Sequence, residues 1–338
     1  MTNLKRETLG TTGLEITRVG LGAWAIGGPW DFGWGPQDDE DSKAALREGV
    51  EAGINWIDTA AVYGLGHSEE VVGQVVRDLP EADRPHVFTK CGMVWKEGST
   101  SADKVGRPDS IRDEAQASLK RLGVEQLDLL QLHWPPEDGT SVEDAWGALV
   151  ELRDQGVARF VGVSNFDAGQ LARVEPIGHV DTLQPPLSLI NRKALDGTLQ
   201  WCEEHGTGVI VYSPMQSGLL TGSWSDHRYD QLADDDWRRR SDEFNGDRFQ
   251  ANLALVERLG PLADELGATM GELAISWTLH QPGVTAAICG ARKTGQVEGW
   301  VRGGEVELDG DALGRIREAL EETGAGSGPL AATAAPSA

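Results

Sequence analysis

The chain predicts a single (β/α)8 barrel, and three observations predict it. Short apolar runs alternate with amphipathic helical stretches eight times along the 338 residues. Strands that alternate with helices imply a parallel sheet, and eight units over about 300 residues suit a closed barrel. Polar and ionisable residues gather at the C-terminal ends of the apolar runs, where such a barrel carries its site. A doubly wound open sheet is the structural alternative.

The elements follow in order. Residues 4–18 read as a hairpin turning at Thr11-Thr12-Gly13, and Val19 to Trp24 as the first buried strand. The segment 25–39, rich in Gly and Trp, reads as a loop. A helix spans 41–52, a strand 54–60, and a helix 68–78 capped by Ser68. Val87 to Lys90 is a strand, and Ser110 with Asp113 starts a helix by a capping-box pattern. Leu127 to His133 is a strand, and Ser141 with Asp144 caps the next helix. Phe160 to Ser164, Thr182 to Gln184 and Val209 to Tyr212 are strands, separated by helices at 167–174 and 194–204. A long polar loop, 216–248, follows the seventh strand. Helices at 249–266 and 269–281 precede the eighth strand, Thr285 to Cys289, and extra helices at 293–302 and 309–322 close the fold. The barrel domain is 1–323, and the Ala, Gly, Ser and Pro content of 324–338 predicts a flexible tail.

Composition narrows the function. The net charge of −24 repels nucleic acid and anionic lipid, so neither is an expected partner. No apolar run approaches the roughly 18 residues of a membrane span. The start of the chain lacks the apolar segment of a signal peptide. Three scattered cysteines suggest a reducing compartment, so the cytoplasm is the expected location. No His or Cys spacing suggests a metal site. Gly20-Leu-Gly22 fails the dinucleotide fingerprint because residue 25 is Ala.

The strand ends carry Asp58 with Tyr63 just beyond, Lys90 and His133. Alternation puts Trp56 with Asp58, Phe88 with Lys90, and Leu129, Gln131 and His133 on single faces, so three neighbouring strands can aim their ends at one mouth. A phenol with a pKa near ~10 is a poor acid at neutral pH. An adjacent ammonium favours the phenolate, a carboxylate holds the ammonium, and an imidazole orients a substrate oxygen. Together they make a phenol-based general acid.

These residues stand within motifs that resemble the aldo-keto reductases. The resemblance covers residues 4–305 and rests on Gly20 to Gly28, Ile57-Asp-Thr-Ala-Ala-Val-Tyr-Gly64, Phe88-Thr-Lys90, Leu132-His-Trp-Pro135, Val161 to Phe166, Gln184-Pro-Pro186, Tyr212-Ser-Pro214, Gly218 to Gly222 and Gly290-Ala-Arg-Lys293. It is nearest to the bacterial general-stress and inositol-operon reductases. It implies NADP(H) across the barrel mouth, Tyr63 as general acid, Lys90 and Asp58 tuning it, and His133 orienting the carbonyl. It places Trp24 at the site, Ser164, Asn165 and Gln184 on the carboxamide, and Tyr212 under the nicotinamide. Ser213, Pro214, Met215, Gln216, Ser217, Gly218 and Leu219 match the pyrophosphate loop, with Arg238 contributing from the long loop. Gly290, Ala291 and Arg292 match the 2′-phosphate region, and Gln296 the adenine contact.

Ser223 stands where relatives often carry Lys, and Gly299-Trp300 where many carry Glu-Asn. NAD(H) therefore stays open beside NADP(H). Trp24, Trp30, Phe32, Trp34 and Trp134 suggest an aromatic wall suited to aldehydes or ketones with apolar bodies. The chain is expected as a monomer or small homo-oligomer. The alternative is a regulatory, cofactor-binding subunit resembling potassium-channel β subunits, with 216–248 as its docking loop.

Overall fold

The computed structural model describes residues 4–234 and 236–333. It opens with an antiparallel hairpin, β1 (Arg6–Thr8) and β2 (Glu15–Thr17). The barrel strands are β3 (Val19–Gly22), β4 (Trp56–Asp58) and β5 (His86–Cys91), then, after a second hairpin of β6 (Met93–Trp95) and β7 (Ala102–Lys104), β8 (Leu127–Leu132), β9 (Ala158–Ser164), β10 (Thr182–Gln184), β11 (Gly208–Val211) and β12 (Val284–Gly290). The eight close in the order β10-β11-β12-β3-β4-β5-β8-β9, all parallel. The fold is a (β/α)8 barrel.

The packing follows strand parity. Trp56, Phe88, Leu129, Ile210 and Ile288 fill the barrel, while Ile57, Leu130, Leu132, Val161 and Val163 join the core under the helices. Leu9, Leu14 and Ile16 of the first hairpin pack against the inner layer at the strand starts and close that end. Gly20 has to be glycine: a Cβ there would lie 2.1 Å from the Trp56 ring.

The helices are α1 (Asp39–Glu51), α2 (His67–Asp78), α3 (Pro108–Leu122), α4 (Val142–Asp154), α5 (Ala168–Val174), α6 (Thr198–His205), α7 (Asp226–Asp230), α8 (Gly246–Glu265), α9 (Met270–Leu279) and α10 (Gly310–Thr323). Ser141 caps α4 through the Asp144 amide. Two other expected caps are wrong. α2 starts from Gly66 in the left-handed region, and Ser68 is buried, donating instead to the Ala23 carbonyl. α3 starts at Pro108, whose ring presets the first helical residue, so Ser110 lies inside the helix and bonds Glu114. The helix expected at 293–302 is replaced by two 3-10 turns, Val297–Gly299 and Val301–Gly304, since each glycine costs a helix about 1 kcal/mol.

The tail expectation does not hold for residues 324–333. Ala325 is buried, Ser327 exchanges backbone hydrogen bonds with Arg192 and Ile190, and Arg192 donates to the carbonyls of Ala325, Gly328 and Pro329. The small residues that read as disorder permit close approach: a Cβ on Gly326 would lie 2.1 Å from the Ile190 carbonyl oxygen. Residues 334–338 lie outside the described residues. Among the described residues no helix is long and apolar enough to cross a membrane.

Candidate active site

Lys90 organises the mouth of the barrel. Its ammonium donates to Asp58 Oδ2 at 2.6 Å, to the Thr59 carbonyl at 2.9 Å and to the Tyr63 hydroxyl at 3.3 Å. An ammonium has three N–H donors, and all three are satisfied. Asp58 and Lys90 are both buried, and Gln184 Nε2 donates to the second Asp58 oxygen at 2.8 Å. The His133 ring meets the Tyr63 ring edge to face at 5.6 Å, and its buried Nδ1 has no hydrogen-bond partner among the described residues. The turn carrying Tyr63 is held by backbone contact. Gly64 has φ +60°, and a Cβ there would lie 1.8 Å from the Gly27 carbonyl oxygen.

The electrostatics revise one expectation. Burial, and then the Asp58 charge, push the Tyr63 phenol well above the ordinary tyrosine range. The resting phenol is therefore not acidified, since loss of water and the Asp58 charge both disfavour the phenolate. Burial also raises Asp58 and lowers Lys90, and their attraction opposes both shifts. Burial, then Lys90, hold the His133 imidazole well below its ordinary range. At neutral pH the site therefore presents a protonated phenol beside a neutral imidazole.

Above these groups lies a cavity of about 1520 Å³. Asp58, Tyr63 and His133 line it, and Lys90 sits directly beneath. Trp24, Ser164, Asn165, Gln184 and Tyr212 line it too. Their polar groups interlock: Tyr212 donates to Asn165 Oδ1, Asn165 donates to the His133 carbonyl and to Ser164 Oγ, and Ser164 donates to the Gln184 carbonyl. Ser213, Pro214, Met215, Ser217 and Gly218 also reach the cavity. Ser213, Gln216 and Ser217 are non-glycine residues with φ of +57°, +46° and +53°, a concentration of left-handed backbone typical of functional loops.

Two residues of that loop do not reach the cavity. Gln216 turns away to accept from Ser188 Oγ, and Leu219 is buried in the core. Gly290, Ala291, Arg292 and Gln296 line the cavity. Arg292 donates to Gln37 Oε1 and the Pro36 carbonyl, with no carboxylate in ion-pair range among the described residues. Gln296 Oε1 accepts from the Arg292 and Lys293 amides, so that oxygen shapes the turn. Arg238 lines the cavity, but Asp236 grips its guanidinium at 2.9 Å and 2.5 Å.

Sequence reasoning missed the second hairpin, whose Met93, Ala102 and Lys104 form part of the wall. Its signal was the turn-forming Lys96-Glu-Gly-Ser99 between two short runs. Lys104 pairs with Glu137 and lies 4.5 Å from the centre of the Trp134 ring. Arg228, at the cavity wall on α7, was also missed. Among the described residues no group of three His, Cys, Asp or Glu side chains could hold a metal.

Relatives of the chain are known. Residues 18–321 match the model of the aldo/keto reductase family. Aldo-keto reductase YhdN of Bacillus subtilis is 34% identical over 90% of this chain and 92% of its own. The NADH-specific methylglyoxal reductase of Escherichia coli is 34% identical over 94% of this chain and 100% of its own. The glycerol dehydrogenase AKR11B4 from Gluconobacter oxydans superposes with a TM-score of 0.86 at 35% identity, covering 96% of this chain and 97% of that one. With its barrel and these matches, the chain belongs to the aldo/keto reductase family and is an NAD(P)H-dependent oxidoreductase acting on carbonyl groups.

Proposed function

We propose that the chain is a carbonyl reductase with NADPH as its preferred cofactor, in which Tyr63 protonates the substrate oxygen, Lys90 and Asp58 tune it, and His133 orients the carbonyl. The observation that carries this reading is the buried Asp58–Lys90 pair with its third N–H on the Tyr63 hydroxyl. The nicotinamide cofactor, when bound, supplies the hydride. The chain's residues do the rest. The high pKa of Tyr63 keeps its proton until a carbonyl oxygen gains charge, and Lys90 then stabilises the phenolate left behind. The neutral His133 ring can donate a hydrogen bond to the same oxygen without bringing a charge.

The cavity suits a dinucleotide in size and lining. Ser164 and Asn165 are proposed to hold the carboxamide, Tyr212 to lie under the ring, and Ser213, Pro214, Met215, Ser217 and Gly218 to face the pyrophosphate. Gln184 is proposed to hold Asp58 through one Nε2 hydrogen bond and to face the carboxamide with the rest of its amide. Arg292, a cation at the wall without an acidic partner among the described residues, supports recognition of a 2′-phosphate, with Gln296 toward the adenine. NADH remains usable. Trp24, Trp30, Phe32, Trp34 and Trp134 around the cavity support aldehydes and ketones with apolar bodies.

The barrel, 1–323, carries every proposed residue. Three buried free cysteines among the described residues support a cytoplasmic setting. The alternative, a regulatory subunit docking through 216–248, is less well supported. That segment packs on the barrel instead of standing free, with Trp224 and Phe244 buried.

The test follows NADPH oxidation with 4-nitrobenzaldehyde, together with cofactor binding by tryptophan quenching. Tyr63→Phe should lower kcat by about 10²- to 10⁴-fold and leave the NADPH Kd within a few-fold. Unchanged turnover would remove Tyr63 from the proposed role.

A further inference from the structure

The cavity wall carries three guanidiniums in one neighbourhood. Arg238 lies 4.7 Å from the centre of the Trp34 ring and 5.2 Å from that of Trp224, and Arg228 lies 4.7 Å from that of Trp224. Arg292 feels the Arg238 charge, which together with burial pushes its pKa down. Of the three, only Arg238 has an ion pair among the described residues, with Asp236. Arg228 bonds the Ser223 carbonyl and hydroxyl, and no carboxylate lies within ion-pair range of it among the described residues.

The chain as a whole has 54 acidic residues against 30 basic ones. Arg228 and Arg292 both line this cavity without an acid partner among the described residues. They fit a ligand with two separated anionic groups. Arg228 shares its wall with Gly218 and Ser217, where the backbone is left-handed. The Trp224 ring beneath Arg228 places its Nε1 3.5 Å from where a Cβ on Gly218 would be, so ring, loop and guanidinium form one unit.

We infer that Arg228 is a second anion contact for the cofactor, taking the pyrophosphate beside the Ser217-Gly218 turn while Arg292 takes the 2′-phosphate. The inference rests on the proposed nicotinamide-cofactor site and divides it between two cations. The Arg228 guanidinium lies 4.7 Å from the centre of the Trp224 ring, and its Nη1 donates to the Ser223 carbonyl and hydroxyl. The planar fork then presents its remaining N–H groups to phosphate oxygens. NADPH and NADH both carry the pyrophosphate, so Arg228 serves both, whereas Arg292 discriminates between them.

The experiment measures Kd by tryptophan quenching for NADPH, NADH and 2′-AMP, the last having a 2′-phosphate and no pyrophosphate. Arg228→Gln should weaken NADPH and NADH alike, by about tenfold, the size of one lost charge-assisted hydrogen bond. It should leave 2′-AMP within twofold and flatten the salt dependence of NADH binding. Arg292→Gln should weaken NADPH and 2′-AMP and spare NADH. Arg228→Lys should recover part of the loss. An NADH affinity unchanged in Arg228→Gln overturns the assignment, as does a loss confined to NADPH or one that extends to 2′-AMP. Failure of the unsubstituted protein to bind either dinucleotide would instead overturn the cofactor site itself.

Discussion

The ammonium of Lys90 donates to the hydroxyl of Tyr63 across 3.3 Å, yet the phenol titrates above an ordinary tyrosine. Burial sets the resting state, and the ammonium acts when charge appears on the phenol oxygen. Reduction then needs a neutral phenol, and oxidation of an alcohol needs the phenolate. The kcat for reduction should stay level from about pH 6 to about pH 10, past the ordinary phenol pKa. His133, neutral throughout, should add no limb near pH 6.5. A pH–kcat profile under cofactor saturation checks both points, and an alkaline limb near pH 8 would contradict them.

The Asp58–Lys90 pair is buried, so removing one partner strands the other's charge. Lys90→Met should destabilise the fold by about 3–5 kcal/mol. The double variant Asp58→Asn with Lys90→Met should recover much of that, because no lone charge remains buried. Urea unfolding of the single and double variants measures the difference. Turnover should be lost in both, which separates the chemical role from the structural one.

Gly64→Ala tests the backbone contact under Tyr63. The added Cβ would meet the Gly27 oxygen at 1.8 Å in a left-handed residue. The expected cost exceeds the roughly 1–2 kcal/mol of left-handed backbone alone, and kcat should fall with it. Gly98→Ala is the control: Gly98 has φ +79° with nothing within 4 Å of a Cβ, so only the backbone term applies. Equal thermal shifts in the two variants would show that the Gly27 contact is unimportant.

Glu114 supplies a pH dependence of stability. Its carboxylate accepts from the Gly92 and Met93 amides and from Ser110, at the base of the second hairpin. Burial raises its pKa from 4.5 to about 7. Between those values the folded chain holds a proton that the unfolded chain has released. The contribution is full below about pH 4.5 and is lost as pH rises through about 7, by up to ~3 kcal/mol. The Tm of the parent minus that of Glu114→Gln should therefore fall between pH 5 and pH 8. A flat difference would place the Glu114 titration elsewhere.

How much was legible in the sequence depends on how local each signal was. Period-two alternation in Trp56-Ile57-Asp58 and Leu129-Leu130-Gln131 carried the barrel and the inward aim of Asp58. Ser141 was readable as a cap because its partner, the Asp144 amide, lies three residues on. Ser68 and Ser110 have the same composition signal, but their hydroxyls found the Ala23 carbonyl and the Glu114 carboxylate. A cap competes with every other acceptor that the fold brings near.

The sequence by itself determined the eight strand–helix units, the family motifs and the meeting of Asp58, Tyr63, Lys90 and His133 at one mouth. These follow from periodicity and from residues at strand ends. Only the tertiary structure decided that Tyr63 rests as a tightly protonated phenol, because burial depends on what covers it. Only the tertiary structure turned Gln216 and Leu219 away, committed Arg238 to Asp236, and left Arg228 and Arg292 as cavity cations without acids among the described residues. It also drew 324–333 onto the barrel, since close backbone approach rewards the small residues that composition reads as disorder. Desolvation and long-range partner choice are properties of the folded surface, and no window of sequence contains them.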